Sequence, residues 1–84
     1  MVGMIKMYGK VWCGDCTRAK RVFDDNDVAY EYIDIEKETQ YIDYVLQLNN
    51  GHQSVPTIVF PDGSVLVEPS NLELTKKLAE VDLP

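Results

Sequence analysis

The stretch Trp12-Cys13-Gly14-Asp15-Cys16 contains both cysteines of this 84-residue chain, separated by two residues. Residues 4–8, just before it, alternate in the manner of a strand. After it, apolar residues recur at the spacing of a helix, at Ala19, Val22 and Phe23. The pattern therefore predicts a strand, a loop and a helix, with Cys13 at the start of the helix and Cys16 one turn inside it.

These positions give the two thiols different chemistry. Cys13 would lie beside the unpaired amide groups at the positive end of the helix, which stabilise a thiolate. Lys10 adds a positive charge three residues earlier, and we expect it to stabilise the same thiolate. Cys16 should remain a thiol until it is needed. Two cysteines three residues apart on one helical face can close a disulfide with little backbone movement, so Cys13-Cys16 is a candidate redox-active disulfide.

Two other roles for the cysteines are compatible with the sequence. Both could be inert core residues, or they could supply part of a zinc or iron–sulfur site. A metal site within one chain lacks ligands, because the chain has no further cysteine and a single histidine, His52. Ligands shared between two chains would still permit one. We expect no resident metal and no bound cofactor, and His52 is expected to be a solvated loop residue.

Length and composition predict one small soluble domain over residues 1–84. We expect it to be cytoplasmic, because the N-terminus has no extended apolar segment and no run approaches the ~18 apolar residues that span a bilayer. Two cysteines in a reducing compartment are more often catalytic than structural. No membrane association is expected.

The net charge of −6 argues against nucleic acid as a partner. Residues 1–21 carry five basic side chains and only one acidic one, Asp15, whereas the rest of the chain carries three basic and thirteen acidic side chains. The end that contains the cysteines is therefore expected to be basic and to attract a small anionic thiol. The alternative is that Arg18, Lys20 and Arg21 form only the solvated face of a helix.

The remaining chain predicts three more strands and two more helices. The first helix should end near residues 24–27, and strands should follow at 29–35, 57–60 and 65–67. The last two strands should form a hairpin across the turn at 61–64. A second helix is expected from Glu38 to about Leu48. Ser70 and Glu73 form a capping box that starts the last helix, whose packing stripe is Leu74, Leu78 and Val81, with Leu72 as a further candidate. The order is βαβαββα, an α/β fold with a four-stranded mixed sheet and three helices.

These features resemble the glutaredoxin branch of the thioredoxin superfamily over nearly the whole chain. Tyr8 and Lys10 stand five and three residues before Cys13, as in glutaredoxins, and Val55-Pro56 resembles the step that carries a cis proline facing the dithiol. The active-site pattern and several later runs resemble most closely the mycoredoxins, the glutaredoxin-like proteins of actinobacteria: Asp34-Ile35-Glu36, Val-Pro-Thr, Asp62-Gly63-Ser64 and Pro69-Ser70. Gln53, where glutaredoxins often have an arginine, and Glu68-Pro69, where they often have two glycines, count against ordinary glutathione binding.

The resemblance implies a thioredoxin fold and a thiol–disulfide oxidoreductase. In this activity Cys13 attacks protein or small-molecule disulfides, including mixed disulfides between a protein and a small thiol. Cys16 or a small thiol then completes the reaction, with mycothiol or glutathione as co-substrate. Expected partners are disulfide-bearing proteins, with thioredoxin reductase or mycothiol disulfide reductase as candidate reductases, and the protein is expected to be a monomer. Residues expected to bind the substrate or the thiol are Tyr8, Trp12, Gln53, Val55, Pro56, Ser70 and Asn71.

Purely structural roles compete at several of these positions. Tyr8 and Trp12 could instead belong to the core, Pro56 could be a plain strand-edge proline, and Ser70 a plain helix cap. Two other functions also fit the sequence. One is a glutaredoxin-like hydrogen donor for ribonucleotide reductase, reduced by thioredoxin reductase; the other is an iron–sulfur carrier that holds a cluster through Cys13 in a dimer.

Overall fold

A computed structural model of the protein describes residues 4–81. The strands are β1 (Ile5–Gly9), β2 (Tyr30–Asp34), β3 (Thr57–Val59) and β4 (Val65–Val67). The helices are α1 (Gly14–Asp25), α2 (Ile42–Leu48), which follows a single 3-10 turn at Thr39–Tyr41, and α3 (Asn71–Glu80). The order βαβαββα predicted from the sequence is confirmed, with strand and helix ends shifted by a few residues.

The sheet has the strand order β2-β1-β3-β4. β1 and β2 are parallel, with Ile5 opposite Tyr30, because α1 carries the chain back across the sheet between them. β3 is antiparallel to both β1 and β4. The sheet is therefore mixed, as expected, and β1 lies in its interior, where it delivers the segment with the cysteines at its carboxyl end.

Helices cover both faces of the sheet, so the core has two parts. One cluster lies on the side of α1 and α3: Ile5, Met7, Ala19, Val22, Phe23, Ile58, Phe60, Leu74 and Leu78. The other lies on the side of α2: Tyr8, Ile33, Ile35 and Val45. Alternation along β1 assigns Met7 to the first cluster and Tyr8 to the second. Burying each large apolar side chain contributes about 1.5–3 kcal/mol.

The last helix packs as predicted except at one residue. Leu74 and Leu78 are buried and Val81 packs against the same cluster, whereas Leu72 is 77% exposed. Leu72 precedes Leu74 by two residues, about 200° around the helix, and therefore lies on the opposite side. The expectation that Leu72 joins the packing stripe is wrong. The predicted capping box between Ser70 and Glu73 is present.

None of the helices within residues 4–81 is long and apolar enough to cross a membrane.

Candidate active site

Cys13 caps the first turn of α1. Its backbone is extended (φ −82°, ψ 114°), and its Sγ accepts a hydrogen bond from the backbone N–H of Cys16 at 3.1 Å. The Cys13 N–H donates in turn to the carbonyl of Lys10 at 3.2 Å, which fixes the loop before the helix. The sulfur thus lies at the amino-terminal end of the helix, within hydrogen-bonding distance of a backbone amide. The sequence placed this cysteine correctly.

Cys16 lies deeper in the protein. Both cysteines are free thiols, but Cys16 is 1% exposed and Cys13 is 7% exposed. Burial, and next the hydrogen bond with Cys13, raise the pKa of Cys16 from 9.0 to about 12. The backbone amide of Lys10 and the charge of Lys20 act in the opposite direction. The prediction that Cys16 remains protonated at neutral pH therefore agrees with the structure.

Gly9, the last residue of β1, makes room for Cys16. A Cβ atom at Gly9 would lie 2.8 Å from the Cys16 Sγ and 3.1 Å from Cε1 of Tyr32. Distances this short are repulsive, and both contacts belong to buried or half-buried side chains. The absence of a side chain at Gly9 therefore permits Cys16 and the Tyr32 ring to lie side by side beneath the active-site loop.

The loop before β3 forms the wall opposite Cys13. The Val55–Pro56 peptide bond is cis, as the resemblance implied, and Pro56 is buried. The Val55 carbonyl faces the dithiol and accepts a hydrogen bond from the Cys13 thiol, with an Sγ to O distance of 3.7 Å. Within residues 4–81, no hydrogen bond is formed by the Val55 N–H. An extended substrate segment could therefore pair with this backbone.

Hydrogen bonds to the end of α2 brace this wall. The Asn49 side-chain amide donates to the Thr57 hydroxyl at 2.8 Å, and that hydroxyl donates to the Ser54 carbonyl at 2.7 Å. Asn49 also caps α2 with its backbone N–H. The wall is thus tied both to a helix and to the sheet.

Between Cys13 and this wall lies a cleft of about 450 Å³. Four of its lining residues were predicted to be part of the site: Trp12, Cys13, Gln53 and Val55. Four were not: Gly14, Asp15, Ser54 and Glu68. In the sequence Glu68 is only a departure from a glycine-rich pattern, and that departure does not indicate where its side chain lies.

Tyr8, Ser70 and Asn71 do not line this cleft. Tyr8 is 3% exposed, packs against the rings of Tyr41 and Tyr44, and lines a separate cavity with them. Its burial raises its pKa to about 12. Ser70 accepts a hydrogen bond from the Glu73 N–H and so acts as the helix cap, and Asn71 is an exposed residue in the first turn of α3. For Tyr8 the structure favours the core alternative, and for Ser70 the cap.

Trp12 stands outside the core beside Cys13. It is 69% exposed, and its indole N–H donates to the Glu36 carboxylate at 2.9 Å. The Lys10 ammonium lies 5.2 Å from the centre of the ring, within range of a cation–π interaction. The alternative in which Trp12 closes the small core is therefore wrong. Its ring forms part of the rim of the cleft.

The charges at the cleft are the reverse of those expected. Its ionisable lining residues, apart from Cys13, are the acids Asp15 and Glu68. The Asp15 carboxylate is paired with Arg18 at 3.0 Å, on the exposed surface of α1. Lys10 lies over Trp12, and Lys20 lies over Tyr32. The summed charge of residues 1–21 predicts a basic cleft. The prediction fails because a sum over the sequence does not show on which side of a helix each charge lies.

Lys20 is a further neighbour of the dithiol. It follows Cys16 by four residues, so both lie on one side of α1. Its Nζ lies 3.6 Å from the centre of the Tyr32 ring, and its charge lowers the pKa of Cys16. The i,i+4 spacing was available in the sequence, whereas the contact with β2 was not.

Comparison with known proteins agrees with this geometry. The family model for glutaredoxin matches residues 5–66. A Mycobacterium tuberculosis protein provisionally named a glutaredoxin is 38% identical over 77 residues, 92% of each chain. Mycoredoxin 1 of Corynebacterium glutamicum is 26% identical over 74 residues, 88% of this chain and 91% of that one.

The fold has a close counterpart among crystal structures. A thioredoxin-like protein superimposes with a TM-score of 0.74 at 29% identity, over 86% of this chain and 96% of the other, and a point variant of it gives 0.76 at 30% identity, over 88% and 97%. The thioredoxin fold and the CxxC arrangement of Cys13 and Cys16 thus accompany a family match over most of the sequence. The chain belongs to the glutaredoxin family.

Proposed function

We propose that the protein is a dithiol–disulfide oxidoreductase in which Cys13 is the nucleophile and Cys16 the resolving cysteine. The glutaredoxin family consists generally of thiol–disulfide oxidoreductases. The observation that carries the assignment of roles is the asymmetry of the two thiols. Cys13 caps a helix at the cleft and accepts an amide hydrogen bond, whereas Cys16 is buried with a pKa raised to about 12.

In the first step the Cys13 thiolate attacks one sulfur of a substrate disulfide. A bond forms between Cys13 and that sulfur, the substrate S–S bond breaks, and the second substrate sulfur leaves as a thiolate that takes a proton from water. The Val55 carbonyl, 3.7 Å from the Cys13 Sγ, lies next to the reacting atoms. The Val55 N–H, which has no hydrogen-bond partner among residues 4–81, is available to a substrate backbone.

In the second step Cys16 loses its proton and attacks the Cys13 sulfur of the mixed disulfide. The Cys13-Cys16 disulfide forms, and the first substrate sulfur leaves as the second thiol, so the substrate gains two electrons and the protein loses two. In the monothiol route a small thiol attacks the substrate-derived sulfur of the mixed disulfide instead; a disulfide forms between those two sulfurs and Cys13 leaves as the thiolate, so only Cys13 is essential. In the dithiol route a reductase or two small thiols then reduce the Cys13-Cys16 disulfide and return the protein to its dithiol form.

We infer that mycothiol is the small thiol that serves this protein. Two observations support this inference: the similarity to Mycoredoxin 1 and the acidic lining of the cleft. Mycothiol carries no carboxylate, whereas glutathione is a net anion at neutral pH, so acidic side chains favour the former. The natural substrates are proteins with disulfides or with mycothiol mixed disulfides, and cytoplasmic reduction of these is the biological role we propose.

A trapping experiment tests both the nucleophile and the small thiol. The Cys16→Ser variant, incubated with mycothiol disulfide or glutathione disulfide, should accumulate one adduct on Cys13, identified by intact mass and peptide mapping. The Cys13→Ser variant is the matched control and should accumulate none. An adduct on Cys16 in the Cys13→Ser variant, or no adduct from either disulfide in the Cys16→Ser variant, would overturn the proposed roles.

A coupled assay separates this function from that of a hydrogen donor for ribonucleotide reductase. Turnover with NADPH, mycothiol and mycothiol disulfide reductase is expected. Equally fast turnover with NADPH and thioredoxin reductase alone, without any small thiol, would favour the alternative.

A further inference from the structure

Charged side chains border the cleft in pairs that offset one another, with one exception. Asp15 is paired with Arg18 at 3.0 Å. At Trp12, the Lys10 ammonium over the ring offsets the Glu36 carboxylate bound to the indole N–H. The positive end of α1 is directed at the Cys13 sulfur.

Glu68 is the exception, because its carboxylate has no ion-pair or hydrogen-bond partner within residues 4–81. It is exposed and lines the cleft together with Cys13 and Val55. The cleft therefore carries one uncompensated negative charge, which is the carboxylate of Glu68.

The backbone conformation of Glu68 fixes the residue beside the cleft. Its φ is +47°, in the left-handed region that favours glycine. Its N–H donates to the Pro56 carbonyl at 2.9 Å, which holds the residue beside the wall of the cleft in this conformation. A residue with a side chain in such a conformation costs of order 1 kcal/mol or more relative to glycine.

We propose that Glu68 determines substrate specificity by charge, so that the protein prefers disulfides with cationic groups next to the sulfur atoms, accepts neutral ones and disfavours anionic ones. This inference rests on the proposed function and adds the substrate class to it. The preferred protein substrates are those whose reactive cysteine has lysine or arginine neighbours. Among small thiols the same selection favours the neutral mycothiol over glutathione.

The effect acts on the approach of the substrate to Cys13. A carboxylate at the rim of a cleft raises the local concentration of cations and lowers that of anions, and it does so more strongly at low salt. It adds no chemical step, since the attack of the Cys13 thiolate and the departure of the second substrate sulfur are the same for every disulfide.

Three disulfides of similar size test the proposal: cystamine with two ammonium groups, 2-hydroxyethyl disulfide without charge, and 3,3′-dithiodipropionate with two carboxylates. The pre-reduced protein is mixed with each disulfide, and the second-order rate constant is measured in a single turnover. Acid-quenched samples analysed by mass spectrometry give the loss of free thiol. Each rate is compared between wild type and variant, so that the intrinsic reactivities of the three disulfides cancel.

The Glu68→Gln variant should react with cystamine about threefold more slowly and with dithiodipropionate about threefold faster than wild type, as expected for one exposed charge pair. The neutral disulfide should react at the wild-type rate, and high ionic strength should abolish the differences. The Glu68→Lys variant should reverse the preference. The control is Glu80→Gln, the same chemical change at the far end of α3, which should leave all rates unchanged.

The outcomes separate this inference from the proposed function. Equal changes for all three disulfides in the Glu68→Gln variant, or none, would overturn the charge selection while leaving the oxidoreductase intact. If wild type reacted with none of the three disulfides, the proposed function would fall, and the inference with it.

Discussion

The ammonium group of Lys20 lies 3.6 Å from the centre of the Tyr32 ring, beside the buried Cys16. The ring holds the lysine by a cation–π interaction and so fixes a positive charge next to the resolving thiol. That charge opposes the effect of burial on the pKa of Cys16 and favours the thiolate that must attack the mixed disulfide.

We therefore expect the Lys20→Met variant to slow the second chemical step about threefold and to leave the first unchanged. The mixed disulfide on Cys13 should accumulate, as measured by quenched-flow mass spectrometry with 2-hydroxyethyl disulfide. Arg21→Met removes a neighbouring, exposed charge from the same helix and serves as the control. Slowing of the first step instead would show that Lys20 acts on Cys13.

Raised pKa values make the stability of the reduced protein sensitive to alkaline pH. The pKa of Cys16 is about 12 in the folded protein and 9.0 ordinarily, so above pH 9 the unfolded chain releases this proton while the folded chain keeps it. The free energy of unfolding should therefore be constant with respect to this group below pH 9 and fall as the pH rises toward 12. The slope is at most about 1.4 kcal/mol per pH unit for each such group.

Urea unfolding of the reduced protein between neutral pH and pH 10.5 measures this dependence. The Cys16→Ser variant should lose the decline that begins near pH 9. A later decline should remain, because Tyr8 and Tyr32, whose pKa values are also raised to about 12 from 10.0, begin to contribute above pH 10. An identical pH dependence in wild type and variant would contradict the assignment to Cys16.

Because Gly9 lies close to Cys16, we expect that even one methyl group at position 9 lowers the stability of the fold. The Gly9→Ala variant should lose about 1–3 kcal/mol of stability, because the new Cβ would meet the Cys16 Sγ at 2.8 Å and the Tyr32 ring at 3.1 Å. Denaturant unfolding under reducing conditions measures this loss. Gly14→Ala is the matched control, since a Cβ there meets no atom within 4 Å. A loss of similar size at both positions would argue against the steric explanation.

Two substitutions at Glu68 distinguish the effect of its left-handed backbone on stability from the effect of its carboxylate on specificity. Glu68→Gly and Glu68→Ala both remove the carboxylate, but only glycine relieves the backbone at φ +47°. The glycine variant should be about 1 kcal/mol more stable than the alanine variant, as measured by urea unfolding. Both should lose the preference for cationic disulfides. Equal stability of the two variants would show that the backbone is not strained.

The sequence predicts most of the fold because its signals are local and agree with one another. Alternation in β1 and β2, the dithiol at the start of α1, and the capping box of Ser70 and Glu73 each specify their own segment. Together with Val55-Pro56 they also place the nucleophile and the opposite wall. The glutaredoxin resemblance added the cis peptide bond, which periodicity does not show.

The sequence could not predict which way polar side chains point in loops and at helix surfaces. Trp12 lies in a loop, where no periodicity assigns it to core or solvent, and it proves to be exposed. Tyr8, by contrast, lies in a strand, and the alternation of β1 does place it in the second core cluster and outside the cleft. Glu68 reaches the cleft because of a backbone conformation that its residue type does not favour, so no propensity could have indicated it.

The bracing of the wall by Asn49, Thr57 and Ser54 has a thermodynamic consequence for recognition. The segment before Pro56 is already ordered in the free protein. Binding of a substrate therefore does not include the loss of conformational entropy that ordering this segment would require. Differences in affinity between substrates should then arise from their own flexibility and charge. A substrate whose segment around the target cysteine is rigid or already extended should consequently bind more tightly than a conformationally flexible one of the same composition.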